Sequence, residues 1–152
     1  MSAPRKFALD TQLFIQGFRN DRDRAALNRF HQGCAPFEYL SVIVAQELRA
    51  GTRTEQDRQA LEKNVLKLYE RTGRSFAPSA DVWHRSGDVL AHMAQREGYE
   101  LGRISKSFSN DILLALSCRE SGCVLITENA RDFQRIRQYV EFEFVPPWPG
   151  LR

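Results

Sequence analysis

Short apolar runs alternate along the chain with segments in which apolar residues recur every three or four positions. The runs at 7–9, 37–44 and 123–127 have the length and composition of buried strands. The segments between them have the periodicity of amphipathic helices. Strands that alternate with helices are typical of a parallel sheet covered on both faces. The pattern therefore predicts an α/β protein, a three-layer α/β/α sandwich with a central, mostly parallel sheet.

Two amphipathic helices are predicted in the middle of the chain. The first spans 54–69, and its predicted buried stripe consists of Leu61, Val65 and Leu68. The second begins after Ser79 or Ser86. Trp83, Gly87, Leu90 and Ala94 share one face of this helix. The glycine in this set would permit close packing against a neighbouring helix.

The last third of the chain contains a buried helix and an edge strand. Residues 112–116 are apolar on all sides, as in a helix packed against a sheet, and 109–111 immediately before them have the composition of an N-cap. This places Asp111 at the start of that helix. Polar and apolar residues alternate at 141–145, just before three prolines, which predicts a half-exposed strand at a sheet edge.

Length and composition favour one globular domain over 1–152. The chain is 42% hydrophobic and 27% charged, which is ordinary globular usage. No apolar run approaches the roughly 20 residues of a membrane span, and the N-terminus has no leader pattern. We therefore expect a cytoplasmic protein with no membrane association.

The three cysteines exclude a disulfide scaffold. Cys34, Cys118 and Cys123 are odd in number and form no CxxC pair, so reduced, buried thiols are expected. His31 lies near Cys34, but this pair alone is too little for a structural zinc site.

The basic residues are mostly arginine. The formal net charge is only +3, yet eighteen of the 22 basic residues are arginine. Because a guanidinium group can contact phosphate with two parallel hydrogen bonds, phosphate-bearing partners are allowed.

Acidic residues occur where predicted strands lead into helices. Asp10 ends the first strand, and the turn at 128–132 follows the most apolar strand. Glu47 and Asp111 are predicted near the starts of two helices. In open parallel sheets, ligands bind beyond the carboxyl ends of the strands. The sequence therefore predicts a carboxylate cluster at this edge, although each acid taken alone is also explained as a helix cap or a solvated residue.

A cluster of carboxylates requires a counter-charge. Two carboxylates 4 Å apart repel by about 4 kcal/mol at an effective dielectric constant of 20. With oxygen ligands only, the matching ion is a hard one, Mg²⁺ or Mn²⁺. Such an ion can bridge a phosphate, lower the pKa of a bound water and stabilise a leaving oxygen. Phosphodiester hydrolysis is the reaction class that this chemistry favours.

Four segments resemble those of the PIN-domain ribonucleases, and within them the VapC toxins of bacterial toxin-antitoxin pairs. The resemblance covers nearly the whole chain. Each segment is short, but their order and spacing are characteristic. They are Leu9-Asp10-Thr11, 44–48 around Glu47, 110–115 around Asp111, and 125–133.

The resemblance implies a compact α/β/α domain, usually a homodimer, that cleaves RNA. In the family, three acids bind Mg²⁺ or Mn²⁺, and by position these acids are Asp10, Glu47 and Asp111. A cognate antitoxin commonly holds the toxin inactive, so the resemblance also implies an antitoxin partner.

The family's fourth polar position falls on an amide in this chain. It corresponds to Asn129, and Asp132 one helical turn later is the alternative. This departure leaves open whether the site binds one metal ion or two. Thr11 and Thr127 are expected to orient the ligands rather than to bind the ion.

An acidic pocket that binds RNA needs cations around it. Two pairs of arginines are candidate phosphate contacts, Arg49 and Arg53 after Glu47, and Arg131 and Arg135 after the last turn. Solvated helix faces explain any one of them equally well. Nucleotide-binding glycine motifs are absent, and Gln12 occupies the position where a haloacid dehalogenase needs a second aspartate. The remaining alternative is a non-catalytic PIN-like module that binds RNA or protein.

Overall fold

A computed structural model describes residues 5–150. In this range a parallel sheet of five strands has the order β3-β2-β1-β4-β5, so the first strand of the chain is the central one. β1 pairs with β4 over its whole length, from Lys6 opposite Cys123 to Leu9 opposite Ile126. The strands are β1 (Lys6–Leu9), β2 (Glu38–Ser41), β3 (Ser75–Phe76), β4 (Cys123–Ile126) and β5 (Phe144–Val145).

Helices connect the strands and cover the sheet, which confirms the predicted α/β/α sandwich with a parallel sheet. α1 packs on α2 and α3, while α7 packs on α6, α8, α3 and β4. The helices are α1 (Thr11–Arg19), α2 (Asp21–Cys34), α3 (Val42–Ala50), α4 (Glu55–Leu61), α5 (Lys67–Arg71), α6 (Ala80–Glu97), α7 (Lys106–Ser121) and α8 (Ala130–Arg137). A helix long and apolar enough to cross a membrane is not found in residues 5–150.

The core lies around β4 and α7. All four residues of β4 are buried, and Ile112 and Ala115 of α7 have no solvent exposure. The expected edge strand is confirmed: β5 lies at the end of the sheet and is half-buried. The three cysteines are free and buried, as expected.

The predicted stripe of the middle helix is displaced by one residue. A π-helical turn spans Glu62–Leu66 between α4 and α5, and it adds one residue to the helical repeat. The buried positions are therefore Leu61, Leu66 and Tyr69, while Leu68 is 54% exposed. The prediction of Leu68 as a core residue was wrong because an uninterrupted α-helical period was assumed.

The buried face of α6 is not the one that contains Trp83 and Gly87. Ser79 caps this helix, and its buried residues are Val82, Ser86, Val89 and Met93. Trp83 is 58% exposed, and a Cβ added at Gly87 would meet no atom within 4 Å. The close packing that Gly87 would permit is therefore not made within the described residues, and the neighbouring row of α6 is the one that packs on the core.

Two helices begin earlier than the sequence indicates. β2 ends at Ser41, whose side chain caps α3, so Glu47 lies in the second turn of α3 and not near its start. Ser105 caps α7, so Asp111 lies in the second turn of that helix and not at its first residue. In both cases a single serine starts the helix ahead of the segment with the stronger helical pattern.

A buried carboxylate joins three elements away from the sheet edge that carries the acids. Glu38, at the start of β2, is 2% exposed. Its carboxylate accepts a hydrogen bond from Tyr69 Oη at 2.8 Å, and its other oxygen lies 2.6 Å from Nδ1 of His31. These contacts fix α2 and α5 to the strand, and they were not predicted from the sequence.

Candidate active site

Asp10 lies where the central strand ends. Its backbone N–H donates to the carbonyl oxygen of Ile126 at 3.0 Å, which extends the pairing of β1 with β4 by one residue. One carboxylate oxygen accepts from the N–H of Thr11 at 2.9 Å, and the other accepts from the hydroxyl of Thr127 at 2.7 Å. Burial raises the pKa of Asp10, and these two hydrogen bonds act in the opposite direction. The side chain is therefore held in one orientation by both neighbouring segments.

Thr11 connects Asp10 to Glu47. Its hydroxyl donates to Oε1 of Glu47 at 2.8 Å, while its backbone N–H contacts Asp10. Glu47 is half-buried on α3. The structure thus brings together two of the predicted acids and places both threonines in contact with them.

Asp111 faces the other acids from α7. Burial is the largest cause that raises the pKa of its carboxyl to about 8, and the negative charges of Asp10, Glu47 and Asp132 raise it further. None of the ion pairs found in residues 5–150 involves any of these four acids. Four segments that are distant in sequence therefore contribute negative charge to one region without a basic partner.

Asn129 caps the last helix. Its Oδ1 accepts from the backbone N–H of Asp132 at 3.4 Å, and its Nδ2 donates to a carboxylate oxygen of Asp132 at 3.1 Å. Its own N–H donates to the Thr127 hydroxyl at 2.9 Å. Thr127 therefore connects the capping turn to Asp10. Of the two candidates for the fourth position, Asp132 is the one whose charge acts on Asp111.

The donor chemistry of the cluster fits a hard divalent cation. No group of three His, Cys, Asp or Glu side chains within 5–150 is close enough to enclose an ion as the side chains stand. All the donors are carboxylate oxygens, the type that Mg²⁺ and Mn²⁺ prefer. Burial and the neighbouring negative charges both raise the pKa of Asp111, and a bound divalent cation would act in the opposite direction on both.

An open groove of about 620 Å³ adjoins Glu47. Apolar residues of α1, α3 and α4 form most of its lining, and the guanidinium groups of Arg19 and Arg53 lie beside them. Residues such as Ile15, Phe18, Leu48 and Leu61 supply the apolar surface. Phe18 is 48% exposed here, which is unusual for a phenylalanine.

The four predicted phosphate contacts have different surroundings. Arg49 is held by two ion pairs, with Glu62 at 2.6 Å and Glu70 at 3.2 Å. Arg53 lines the groove beside Glu47, and Arg131 is exposed at the start of α8. Arg135 pairs with Glu97. The guanidinium groups of Arg49 and Arg135 are therefore already engaged by carboxylates, whereas Arg53 and Arg131 form no ion pair within residues 5–150.

A second cavity, of about 370 Å³, adjoins Asp132. Its lining includes Tyr99, Arg103 and Arg135. The sequence reading included Arg135 but missed Tyr99 and Arg103. The available signal was an aromatic and a basic residue interleaved in the glycine-containing stretch 98–103, directly before the cap of α7.

Two curated proteins that are similar to this chain are both named VapC ribonucleases. Ribonuclease VapC2 of Haemophilus influenzae (strain Rd) is 25% identical over 133 residues, which cover 86% of this chain and 92% of that protein. Ribonuclease VapC of strain 86-028NP of the same species matches equally well.

Solved structures with the same fold cover almost the whole chain. The VapBC-1 structure from nontypeable H. influenzae is 25% identical with a TM-score of 0.60, covering 92% of this chain and 96% of that one. The DNA-bound VapBC structure from Salmonella typhimurium is 22% identical with a TM-score of 0.67, covering 94% and 98%. FitAcB from Neisseria gonorrhoeae is 21% identical with a TM-score of 0.65, covering 95% and 99%.

The family model for the PIN domain matches residues 7–139, a range that contains every acid of the cluster. Together with the parallel sheet and the VapC relatives, this match shows that the chain belongs to the PIN-domain family.

Proposed function

We propose that the protein is a divalent-metal-dependent endoribonuclease and the toxin of a toxin-antitoxin pair. The observation that carries the proposal is the convergence of Asp10, Glu47 and Asp132 on Asp111 with no basic partner among residues 5–150. The curated relatives are named ribonucleases, which supports the same reaction.

Asp10, Glu47 and Asp111 are the proposed ligands of Mg²⁺ or Mn²⁺. Asp132, whose carboxylate accepts a hydrogen bond from Asn129, completes the acidic set. When bound, the ion supplies charge neutralisation at the scissile phosphate and lowers the pKa of an attacking water. Thr127 and Thr11 hold the carboxylates of Asp10 and Glu47 in fixed orientations through their hydroxyls.

Three arginines are the proposed contacts to the RNA. Arg53 lines the groove that adjoins Glu47, Arg135 lines the cavity that adjoins Asp132, and Arg131 directly precedes Asp132 in the chain. Cations there offset the repulsion of phosphate by the acids. Arg49 remains a candidate, but its ion pairs with Glu62 and Glu70 must be exchanged for any phosphate contact. We therefore expect a smaller effect on RNA affinity from its loss.

We propose that an antitoxin segment occupies the 620 Å³ groove. Its apolar lining and the exposed Phe18 offer a surface for an amphipathic helix, and Glu47 lies at the same groove. A segment bound here blocks access to the acidic set. A solved structure with the same fold is named as a toxin-antitoxin complex from Klebsiella pneumoniae, which supports such a partner.

The proposed active form is a homodimer in the cytoplasm, where cellular RNA is the substrate. Trp83 and Leu101 are 58% and 57% exposed, so they are available for a contact between subunits. Sedimentation equilibrium of the wild type and of Trp83→Ser tests this assignment.

Cleavage of a labelled single-stranded RNA tests the activity. We expect cleavage with Mn²⁺ or Mg²⁺, none with EDTA, and none by Asp10→Asn or Asp111→Asn. Asp88→Asn is the matched control, because Asp88 is exposed on α6 and its carboxylate forms no ion pair within residues 5–150. The ion should also raise the melting temperature of the wild type and of the control, but not of the two site variants.

Two results would contradict the proposal. Cleavage that persists in EDTA, or in both site variants, would show that the acids and their metal ion take no part in the reaction. Binding of RNA without cleavage and without a metal-dependent thermal shift would instead support the non-catalytic PIN-like module.

A further inference from the structure

The cavity of about 370 Å³ is lined by Asp132, one of the four acids, and by none of the other three. It is formed by the loop that follows α6, the first turn of α7 and one face of α8. Asp132 belongs to both places: it lines the cavity, and its charge acts on Asp111. A ligand in this cavity is therefore a direct neighbour of whatever the acids bind.

One side of the cavity is a stack of flat groups. The guanidinium carbon of Arg135 lies 4.7 Å from the centroid of the Phe108 ring and 5.4 Å from that of Tyr99. Nε of Arg135 donates to Glu97 at 2.9 Å, which fixes the plane and compensates its charge. Phe108 is buried, while Arg135 and Tyr99 remain partly exposed. The stack offers a planar surface on which an unpaired base can lie.

Arg103 supplies a free positive charge to the same cavity. It ends the short 3₁₀ turn Leu101–Arg103 and is exposed. Unlike Arg49 and Arg135, its side chain takes part in no ion pair or hydrogen bond with residues 5–150. The N-terminus of the sixteen-residue helix α7 lies beside it, capped by Ser105. Both features favour an anion at this end of the cavity.

Tyr99 contributes a polar atom without a partner. Its hydroxyl is buried and accepts or donates no hydrogen bond within the described part of the chain. Such a group is costly unless something else satisfies it. A polar ligand in the cavity that Tyr99 lines is one way to do so.

We propose that this cavity, which we call the nucleotide subsite (Tyr99, Arg103, Ser105, Phe108, Asp132 and Arg135), binds one nucleotide of single-stranded RNA next to the scissile phosphate. The backbone phosphate pairs with Arg103, and the base stacks on Arg135 and Tyr99. A duplex keeps its bases paired and stacked, so it cannot place one here. The inference rests on the proposed ribonuclease activity and deepens it by assigning residues of this cavity to one nucleotide of the substrate.

Steady-state cleavage of a labelled single-stranded RNA tests the subsite. Arg103→Ala should raise KM about tenfold with kcat within about twofold, as expected for one lost charge-assisted contact. It should also reduce the slope of log KM against log salt by about 0.7, the loss of one phosphate contact on a single strand. Arg103→Lys should recover most of the affinity. Arg85→Ala is the matched control, since Arg85 is exposed on α6, away from both cavities.

Abasic substitution in the RNA tests the stacking. One abasic nucleotide is moved along the substrate, and a rise in KM of about tenfold is expected at a single position beside the cleavage site. In Arg103→Ala the same position should still respond, because the two contacts are made to different parts of one nucleotide.

The outcomes separate this inference from the proposed function. If the wild type cleaves RNA and Arg103→Ala matches Arg85→Ala in KM and salt slope, the subsite is refuted and the nuclease stands. If the wild type cleaves nothing, the nuclease proposal fails, and fluorescence anisotropy of the same RNA decides the subsite by the affinities of the two variants. Equal loss of affinity for duplex RNA in Arg103→Ala would refute the single-stranded assignment.

Discussion

Replacement of Asp111 by asparagine should stabilise the metal-free protein at pH 8. The surroundings raise the pKa of this carboxyl from 3.8 to about 8. Between these values the folded protein keeps a proton that the unfolded chain has released, so the stability of the wild type falls as the pH rises through this window. An asparagine is neutral at every pH and does not carry this dependence.

The size of the effect follows from the shift. Each pKa unit corresponds to about 1.4 kcal/mol, so a shift of about four units sets a ceiling of about 6 kcal/mol at pH 8. Relaxation of nearby dipoles and water around a half-buried charge reduces this by about half, to about 3 kcal/mol. For a domain of this size, that corresponds to a rise of about 6–12 °C in the melting temperature.

Urea denaturation in EDTA, followed by far-UV circular dichroism, measures the difference. The curves of the wild type and Asp111→Asn should diverge steadily from pH 5 to pH 8, while Asp88→Asn follows the wild type throughout. Saturating Mn²⁺ should then raise the stability of the wild type and leave that of Asp111→Asn unchanged. A difference that is constant with pH, or an asparagine variant that is the less stable protein at pH 8, would refute the reasoning.

Three further predictions concern stability. Tyr69→Phe should cost about 2 kcal/mol in urea denaturation, because buried Glu38 loses a charge-assisted hydrogen bond; no loss would mean that the bond adds nothing. Gly122→Ala should cost about 1 kcal/mol because Gly122 ends α7 with φ of 72°, whereas Gly87→Ala in the middle of α6 should be stabilising; equal effects would exclude backbone strain as the cause. Cys118 should resist alkylation in the native protein, since it is fully buried and burial raises the pKa of its thiol; rapid labelling followed by mass spectrometry would contradict its place in the core.

The sheet could be predicted because its strands are short apolar runs separated by helical patterns. The boundaries were less certain, as at Ser41, where the apolar run continues from β2 into α3. The order of the strands was not predicted, because parallel pairing is compatible with several orders. The π-helical turn at Glu62–Leu66 could not be predicted, because nothing in its composition differs from that of an α-helix. Because of this one added residue, Leu66 takes the buried position predicted for Val65, and Tyr69 takes the one predicted for Leu68.

The acids of the site could be found from their positions in the sequence, but the hydrogen bonds that link them could not. Asp10 follows the central strand and could be placed at the sheet edge by topology alone. Glu47 and Asp111 reach the same region from the second turns of α3 and α7, whereas the sequence pattern predicted both at the starts of their helices. The nucleotide subsite depends on Arg135 lying against Phe108, and contacts between elements far apart in sequence leave no local signal.

The hydrogen bond from Thr127 to Asp10 joins residues at opposite ends of the chain. During translation, Asp10 leaves the ribosome early, while Thr127, β4 and Asp132 are made near the end. β1 therefore cannot pair with β4 until late in synthesis, and the acidic set is not assembled on the nascent chain before then. A polypeptide that stops before Cys123 retains Asp10, Glu47 and Asp111 but lacks both β4 and the Thr127 hydroxyl, which hold the first of them. If the protein is the toxin proposed above, a ribosome that is still synthesising it is not exposed to a finished nuclease.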